Sequence, residues 1–275
     1  MAIITISRGS FSKGKEVAEK VAEILGYECI SREILLEASE HFNIPEIKLE
    51  RALHDAPSIL QRFTYGKERY LAYITAAFLE RVQKDNVVYH GLAGQFMLRG
   101  VSHMLKVRIL AEMEDRVTLE MKRDHLSREE ALARIQKDDH ERRQWSLHLF
   151  GVDTWNPSAY DLVLHVHKLT VDNVVETICH TARLKQFEAT PQSQRVLDNL
   201  VLAALVKASL VRSYPMVRTE ASDGIVTVDA RFNLTEEPEL ATRIKEMAQQ
   251  VSGVKEVRMH ALPLSPYAGS DSCTE

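Results

Sequence analysis

The chain opens on a β-branched run, Ile3-Ile4-Thr5-Ile6, that stops at Ser7-Arg8-Gly9. A short apolar run closed by turn residues predicts a buried strand. From Gly14 the period changes: Val17, Val21, Ile24 and Leu25 recur at helical spacing with Lys and Glu between them, and Gly26 stands at the C-cap position. Tyr27–Ile30 predicts a second strand, and Ser31 caps a helix with Ile34, Leu35 and Ala38 on one face. Residues 45 to 84 read as helical, with breaks at Pro45 and Pro57. Further strands are predicted at Val87–Tyr89, Leu105–Leu110 and Leu162–Val166. Helices are predicted at Met113–His125, Ser127–Leu147 and Val171–Phe187. Strands alternating with helices predict an α/β domain, residues 1–187, built on a parallel sheet covered on both faces.

The pattern then changes. Residues 188–193 form a polar linker containing Pro191. After it come a helix (194 to 212), a strand (Val217–Glu220), a turn at Ser222-Asp223-Gly224 and a strand (Ile225–Phe232). A helix (Glu236–Val251), a turn at Ser252-Gly253 and a strand (Val254–His260) follow. This is an αββαβ order, a small α+β domain over 194–262, with Asp223-Gly224 marking a hairpin. Residues 263–275 read as a flexible tail.

Composition narrows the function classes. Apolar residues make up 45% and charged residues 27% of the 275, which excludes disorder, collagen and a disulfide-stapled miniprotein. Lys and Arg total 35 against 39 Asp and Glu, so the net charge of −4 provides no global attraction to nucleic acid, and no nucleic-acid partner is expected. No stretch approaches 18 uninterrupted apolar residues, so no transmembrane segment is expected. The N-terminus lacks a basic region and its apolar run ends at Ser7, unlike a signal peptide. Cys29, Cys179 and Cys273 form no CxxC, and a reducing cytoplasm is the expected location.

The strand-to-helix loop carries the chemistry. Gly9-Ser10-Phe11-Ser12-Lys13-Gly14-Lys15 has the GxxxxGK spacing of a phosphate-binding loop, with a strand before it and a helix after it. Backbone N–H groups of such a loop wrap phosphate oxygens, and the helix N-terminus adds partial positive charge. Gly9, Ser10, Ser12, Lys13, Gly14 and Lys15 are the candidate nucleotide-binding residues, with Lys15 reaching the outer phosphates. The next position normally offers a hydroxyl to Mg²⁺. Here it is Glu16, a carboxylate and a candidate metal ligand.

Ile-Thr-Ile-Ser-Arg at 4–8, Gly14-Lys15-Glu16, Ala22-Glu-Ile-Leu-Gly-Tyr27 and Ser31-Arg-Glu-Ile-Leu35 together resemble the cytidylate-kinase-like family, a branch of the nucleoside monophosphate kinases. The resemblance covers residues 1–187. It implies a P-loop kinase three-layer sandwich with a five-stranded parallel sheet and a helical lid, and ATP with Mg²⁺ as cofactors. In that family Glu after Gly-Lys is common, whereas Phe11 and Lys13 stand where glycines are usual. Phosphoryl transfer needs arginines converging on the phosphates. The resemblance implies Arg116 at the nucleotide, Arg123 one or two turns on, and Arg142 and Arg143 on the lid within Lys137-Asp138-Asp139-His-Glu-Arg142-Arg143. Lys15, Arg123, Arg142 and Arg143 are then the candidate catalytic groups. At His90-Gly91-Leu92-Ala93-Gly94, Leu92 replaces an arginine that such proteins often show, and Arg99 is a candidate substitute. Arg32, Arg62 and Arg69 are candidates to hold a monophosphate acceptor. The same charges also fit solvated helix faces. His165 and His167 share a strand face, but no third metal ligand lies near in sequence.

Residues 196–262 resemble a BON domain, through Asp223-Gly224-Ile-Val-Thr-Val228, the helix from Leu240 to Val251, and Gly253-Val254-Lys-Glu-Val257. That resemblance implies a ligand- or lipid-binding module; a dimerisation or docking module fits the residues equally, which makes a homodimer or partner contact through this domain an expectation. Besides a P-loop enzyme acting on a non-nucleotide acceptor, two functions remain open. One is an enzyme moving phosphate from ATP to (d)CMP or a related monophosphate. The other is a kinase fold that senses a nucleotide or other phosphorylated small molecule and signals through the C-terminal domain.

Overall fold

A computed structural model describes residues 2–10, 12–31, 65–91, 94–232 and 237–263. The chain divides into two compact units, Met1–Leu197 and Asp198–Glu275. The first is a three-layer α/β sandwich with a helical lid, and the second is a small α+β subdomain.

In the first unit, strands β1 (Ile3–Arg8), β2 (Glu28–Ile30), β3 (Val87–His90), β4 (Met104–Ala111) and β5 (Leu162–Val166) form one sheet in the order β2-β3-β1-β4-β5. All four pairings are parallel. The central strand β1 is buried on both faces, which is why it reads as a continuous β-branched run rather than an alternation. Helix α1 (Gly14–Leu25) packs Val17 and Val21 onto Ile4, Ile6 and Val107, and α6 (Val171–Ala182) adds Val174 and Ile178 to the same core. Strand β4 alternates: Leu105, Val107 and Ile109 enter that core, while Arg108 and Leu110 emerge on the sheet's other face.

The described part of the predicted 45–84 stretch is helix α2 (Gly66–Val82), followed after β3 by a single turn, α3 (Gly94–Met97). The helix expected from Ser31 lies outside the described residues. The lid is an antiparallel pair, α4 (Met113–Asp124) and α5 (Arg128–Phe150), joined over a small core of Val117, Ala131 and Ile135. A capping box starts α5: the Glu130 N–H donates to the Ser127 hydroxyl, and the Glu130 carboxylate accepts from the Ser127 N–H at 2.9 Å. Gly151, at φ 68°, ends it three residues beyond the predicted Leu147.

Other ends move for local reasons. Helix α6 stops at Ala182 rather than Phe187, because the Arg183 and Leu184 N–H groups bond back three residues, to His180 and Thr181. Helix α7 (Pro191–Leu210) starts inside the predicted linker, where Thr190 and Ser193 cap each other's backbone N–H groups and Pro191 occupies the first turn.

The second unit takes most of α7, then β6 (Arg218–Ser222), β7 (Ile225–Phe232), α8 (Glu237–Gln249) and β8 (Glu256–Pro263). β6 and β7 pair antiparallel, and β7 and β8 parallel. The hairpin turn needs left-handed backbone at two positions, provided by Asp223 (φ 52°) and Gly224 (φ 91°). The last strand begins two residues later than predicted because the Lys255 N–H is tied to the Gly224 carbonyl at 2.8 Å. One sheet face packs Val226, Val228 and Val257 against Leu202, Val206 and Leu210 of α7 and Ile244 and Ala248 of α8. Ile244 is fully buried there. Ile244→Ala should therefore cost about 2–4 kcal/mol in urea unfolding; a cost below about 1 kcal/mol would contradict this packing. Among the described residues, no helix is long and apolar enough to cross a membrane.

Candidate functional site: the phosphate loop and the lid cleft

Parallel strands deliver their C-termini to one edge of a sheet, and β1 delivers Ser7-Arg8-Gly9 there. The loop closes on itself when the Ser12 hydroxyl donates to the Gly9 carbonyl at 2.9 Å. Lys13 turns the chain into α1 in the left-handed region (φ 61°), and its carbonyl accepts the helical N–H of Val17. A lysine thus takes the conformation the usual glycine would favour. Gly14 is required sterically: a Cβ there would lie 2.6 Å from Arg8 Cδ and 2.7 Å from Arg8 Cβ. Phe11 lies outside the described residues.

The loop opens into a cleft of about 860 Å³ between α1 and the lid. Among the described residues, six cations line it: Arg8 from the end of β1, Lys13 and Lys15 beside the start of α1, Arg123 from α4, and Arg134 and Arg142 from α5. Arg134, Asp138 and Arg142 are spaced i, i+4, i+8, which places them on one face of α5. Arg123 and Arg134 are both anchored by Asp124: Arg123 at 2.7 and 2.8 Å, Arg134 at 2.6 Å. The bond from Arg123, reinforced by both guanidinium charges, holds the Asp124 carboxyl down at about 2. Among the described residues, Lys15 meets only an exposed partner, Glu19, at 3.6 Å, a contact weak enough to yield to a phosphate. Glu16 similarly faces Lys20 at 3.6 Å.

Arg116 lines a neighbouring cleft of about 660 Å³ that reaches Gly9 and Ser12 and is also tied into the loop. It is buried; its Nε donates to the Ser10 carbonyl at 2.7 Å and its terminal nitrogen pairs with Asp139 at 2.7 Å. Asp139 also accepts the Ser10 N–H at 3.1 Å, and the Ser10 hydroxyl reaches Asp138 at 3.4 Å. Loop, α4 and α5 are therefore knitted together at Ser10. Gly9 lies under this link, since a Cβ there would come within 3.2 Å of Arg116 and Asp139.

Arg143 is not brought to the cleft. It grips Asp153 at 2.9 and 2.5 Å and lies over the Trp155 ring at 4.4 Å. The one-residue step from Arg142 turns it to another face of α5. Arg143→Ala should lower stability by about 1 kcal/mol, given half-exposed ionic and cation–π contacts, and leave nucleotide affinity unchanged in calorimetry. A clear loss of affinity would restore the lid role expected for it. Arg69 and Arg99 are exposed and line neither this cleft nor a neighbouring one of about 660 Å³ that reaches Gly9 and Ser12. Arg32, Arg62 and Leu92 lie outside the described residues. His165 and His167 stack with ring centroids 6.2 Å apart and face Glu112 and Asp115, at 3.6 and 3.5 Å.

Among the described residues, no three His, Cys, Asp or Glu side chains group as a metal site. Glu16 and Asp138 both line the cleft. Such a sparse donor set suits Mg²⁺, which takes one or two carboxylates and completes its shell with phosphate oxygens and water.

Two cleft residues escaped the sequence reading. Arg8 was visible as the residue that ends an apolar strand and closes the Ile-Thr-Ile-Ser-Arg run, with no site role attached, and Arg134 only through its helical spacing to Arg142.

A model of the cytidylate kinase-like family matches residues 3–168. The chain is 23% identical over 176 residues to a cytidylate kinase of Sulfolobus acidocaldarius, covering 64% of this chain and 91% of that one. It is 29% identical over 182 residues to a cytidylate kinase of Ignicoccus hospitalis, covering 65% and 97%. Among solved structures, an uncharacterised protein from Eubacterium ventriosum is similar in fold, with a TM-score of 0.52 at 20% identity over 66% of this chain and 98% of that one. With a glycine-lysine loop at the end of β1, a two-helix lid over it and a family match spanning more than half its length, the chain belongs to the cytidylate kinase-like family.

Proposed function

We propose that the chain transfers a phosphoryl group from ATP to (d)CMP or a related nucleoside monophosphate. The observation that supports this most directly is a cleft in which cations from β1, α1 and both lid helices meet around the phosphate loop. Charge neutralisation and positioning make up most of phosphoryl-transfer catalysis. Lys15 and the loop amides hold the donor phosphates, and the α1 N-terminus favours their charge. Arg123 and Arg142 neutralise the group in flight. Arg116 acts one step back, fixing the loop carbonyl of Ser10. Glu16, with Asp138, would hold Mg²⁺, which neutralises and orients donor oxygens when bound. The αββαβ unit at 194–262 is read as a BON-like module for a ligand or a second copy of the chain, and the cytoplasm as the site of action.

One observation favours a second reading, that of a phosphate-ligand sensor. The Ser10 amide, a group expected to face phosphate, is held by the Asp139 carboxylate. Coupled turnover assays with ATP and each nucleoside monophosphate, run beside calorimetric titrations, separate the two. The enzyme reading predicts saturable turnover with at least one monophosphate. Tight nucleotide binding with no turnover for any of them would favour the sensor.

A further inference from the structure

We propose that Arg8 and Arg142 form an anion subsite of their own in the cleft, one that takes the dianionic phosphate of a phosphomonoester and is separate from the donor contact at Lys15. That the ester is the phosphoryl acceptor rests on the phosphotransferase reading; the anion subsite itself does not.

Lys13, Arg8 and Arg142 are the cleft cations without a partner among the described residues, and Arg8 and Arg142 are the two guanidinium groups of the three. Arg123 and Arg134 share Asp124, Arg116 is paired with Asp139, and Lys15 has Glu19. Arg8 and Arg142 line the same cleft and form no hydrogen bond or ion pair among the described residues, and the Arg8 Nε is solvent-excluded without a partner. They arrive from different elements, Arg8 at the end of β1 and Arg142 on α5. Their charges nevertheless feel each other: burial, and next the Arg142 guanidinium, bring Arg8 down to about 10, so it remains a cation at neutral pH. Tyr89 stands near both, and its phenol, pushed up by burial to about 12, is neutral and cannot serve as their counter-ion.

The position of Arg8 is built in. Its side chain runs beneath the first residue of α1, in space that exists only because residue 14 has no side chain. Glu16, Glu19 and Asp138 line the same cleft, but among the described residues no carboxylate pairs with Arg8 or Arg142, and two like charges so placed are unfavourable until an anion joins them. The planar guanidinium fork matches phosphate oxygens bidentately. Two forks from different walls call for an anion with oxygens on more than one side, which a phosphate dianion offers and a carboxylate does not. Placing that phosphate in the cleft with Lys15 puts acceptor and donor in reach of one another, the arrangement in-line transfer requires.

The test titrates the full-length chain by calorimetry with inorganic phosphate and, separately, with a non-hydrolysable ATP analogue plus Mg²⁺. Arg8→Gln and Arg142→Gln should each weaken phosphate about tenfold or more while changing the analogue less than about threefold. Lys15→Ala should show the reverse preference. Arg8→Lys should recover part of the phosphate affinity, because it restores the charge without the fork. Should Arg8→Gln fail to fold by its thermal midpoint, Arg142→Gln, on a partly exposed helix face, carries the comparison. The proposal is overturned if wild-type protein does not saturate with phosphate, if the glutamine variants bind phosphate as wild type does, or if they lose the analogue as much as phosphate. Phosphate binding that depends on Arg8, without turnover of any monophosphate, would sink the kinase reading and leave the subsite standing.

Discussion

Lys15→Ala is expected to lower kcat/KM for phosphoryl transfer by about 10²–10³-fold, the usual cost of removing one preorganised contact to transition-state charge. The effect should be large because little replaces this ammonium. It stands at the first turn of α1 with the helix dipole behind it, and its resting partner, Glu19, is solvent-exposed. Lys13 is the one other described cleft cation beside the start of α1, and the lid arginines Arg123 and Arg134 are moored to Asp124. The loss should fall mainly on kcat if Lys15 acts on the group in flight, and mainly on KM if it only binds the donor. Stability should barely change, since the side chain is 66% exposed. A loss below about threefold, with the fold intact, would place the phosphate site elsewhere.

Arg116→Ala should have the largest effect on stability, a loss of about 3–5 kcal/mol, because removing one partner leaves a largely buried charge uncompensated. The variant strands two groups at once. The Ser10 carbonyl loses its donor, and Asp139 keeps only the Ser10 N–H. Arg116→Lys should recover little, since a single ammonium cannot serve both the carbonyl and the carboxylate through two nitrogens of one plane. Chemical unfolding monitored by the tryptophans, one of which, Trp145, is packed in the lid helix α5, is the measurement. A loss below about 1 kcal/mol would mean the loop and lid are held by other contacts. The same variant separates roles: if Arg116 clamps the loop rather than touching nucleotide, the affinity lost should return as low temperature or a stabilising osmolyte restores the fold.

Much of this architecture was legible from periodicity. The strands from 3, 87, 105 and 162 were visible because β-branched runs buried in a parallel sheet leave a continuous apolar signal. Helix ends were less legible, because they depend on local bonding that periodicity does not carry. Gly151 ends α5 late, and back-bonding at Arg183 ends α6 early. The phosphate loop was legible because glycine and lysine spacing records a backbone requirement directly. The arginines were legible only in part. Sequence spacing does not say that Arg142 enters the cleft while Arg143 turns to Asp153 and Trp155. Nor does it say that Arg116 is spent on the Ser10 carbonyl. The placement of Arg8 was hidden because its side chain occupies the space that Gly14 leaves open.

Transfer of a phosphoryl group from a nucleoside triphosphate to a monophosphate in this cleft leaves a signature in the phosphorus spectrum. The most direct measurement is phosphorus NMR of full-length protein incubated with ATP, Mg²⁺ and each nucleoside monophosphate in turn, beside the Lys15→Ala variant. ADP and a new nucleoside diphosphate should appear together in equal amounts with at least one monophosphate, and both signals should be lost in the variant. Spectra that stay unchanged for every monophosphate, or ADP that forms with inorganic phosphate alone, would contradict it.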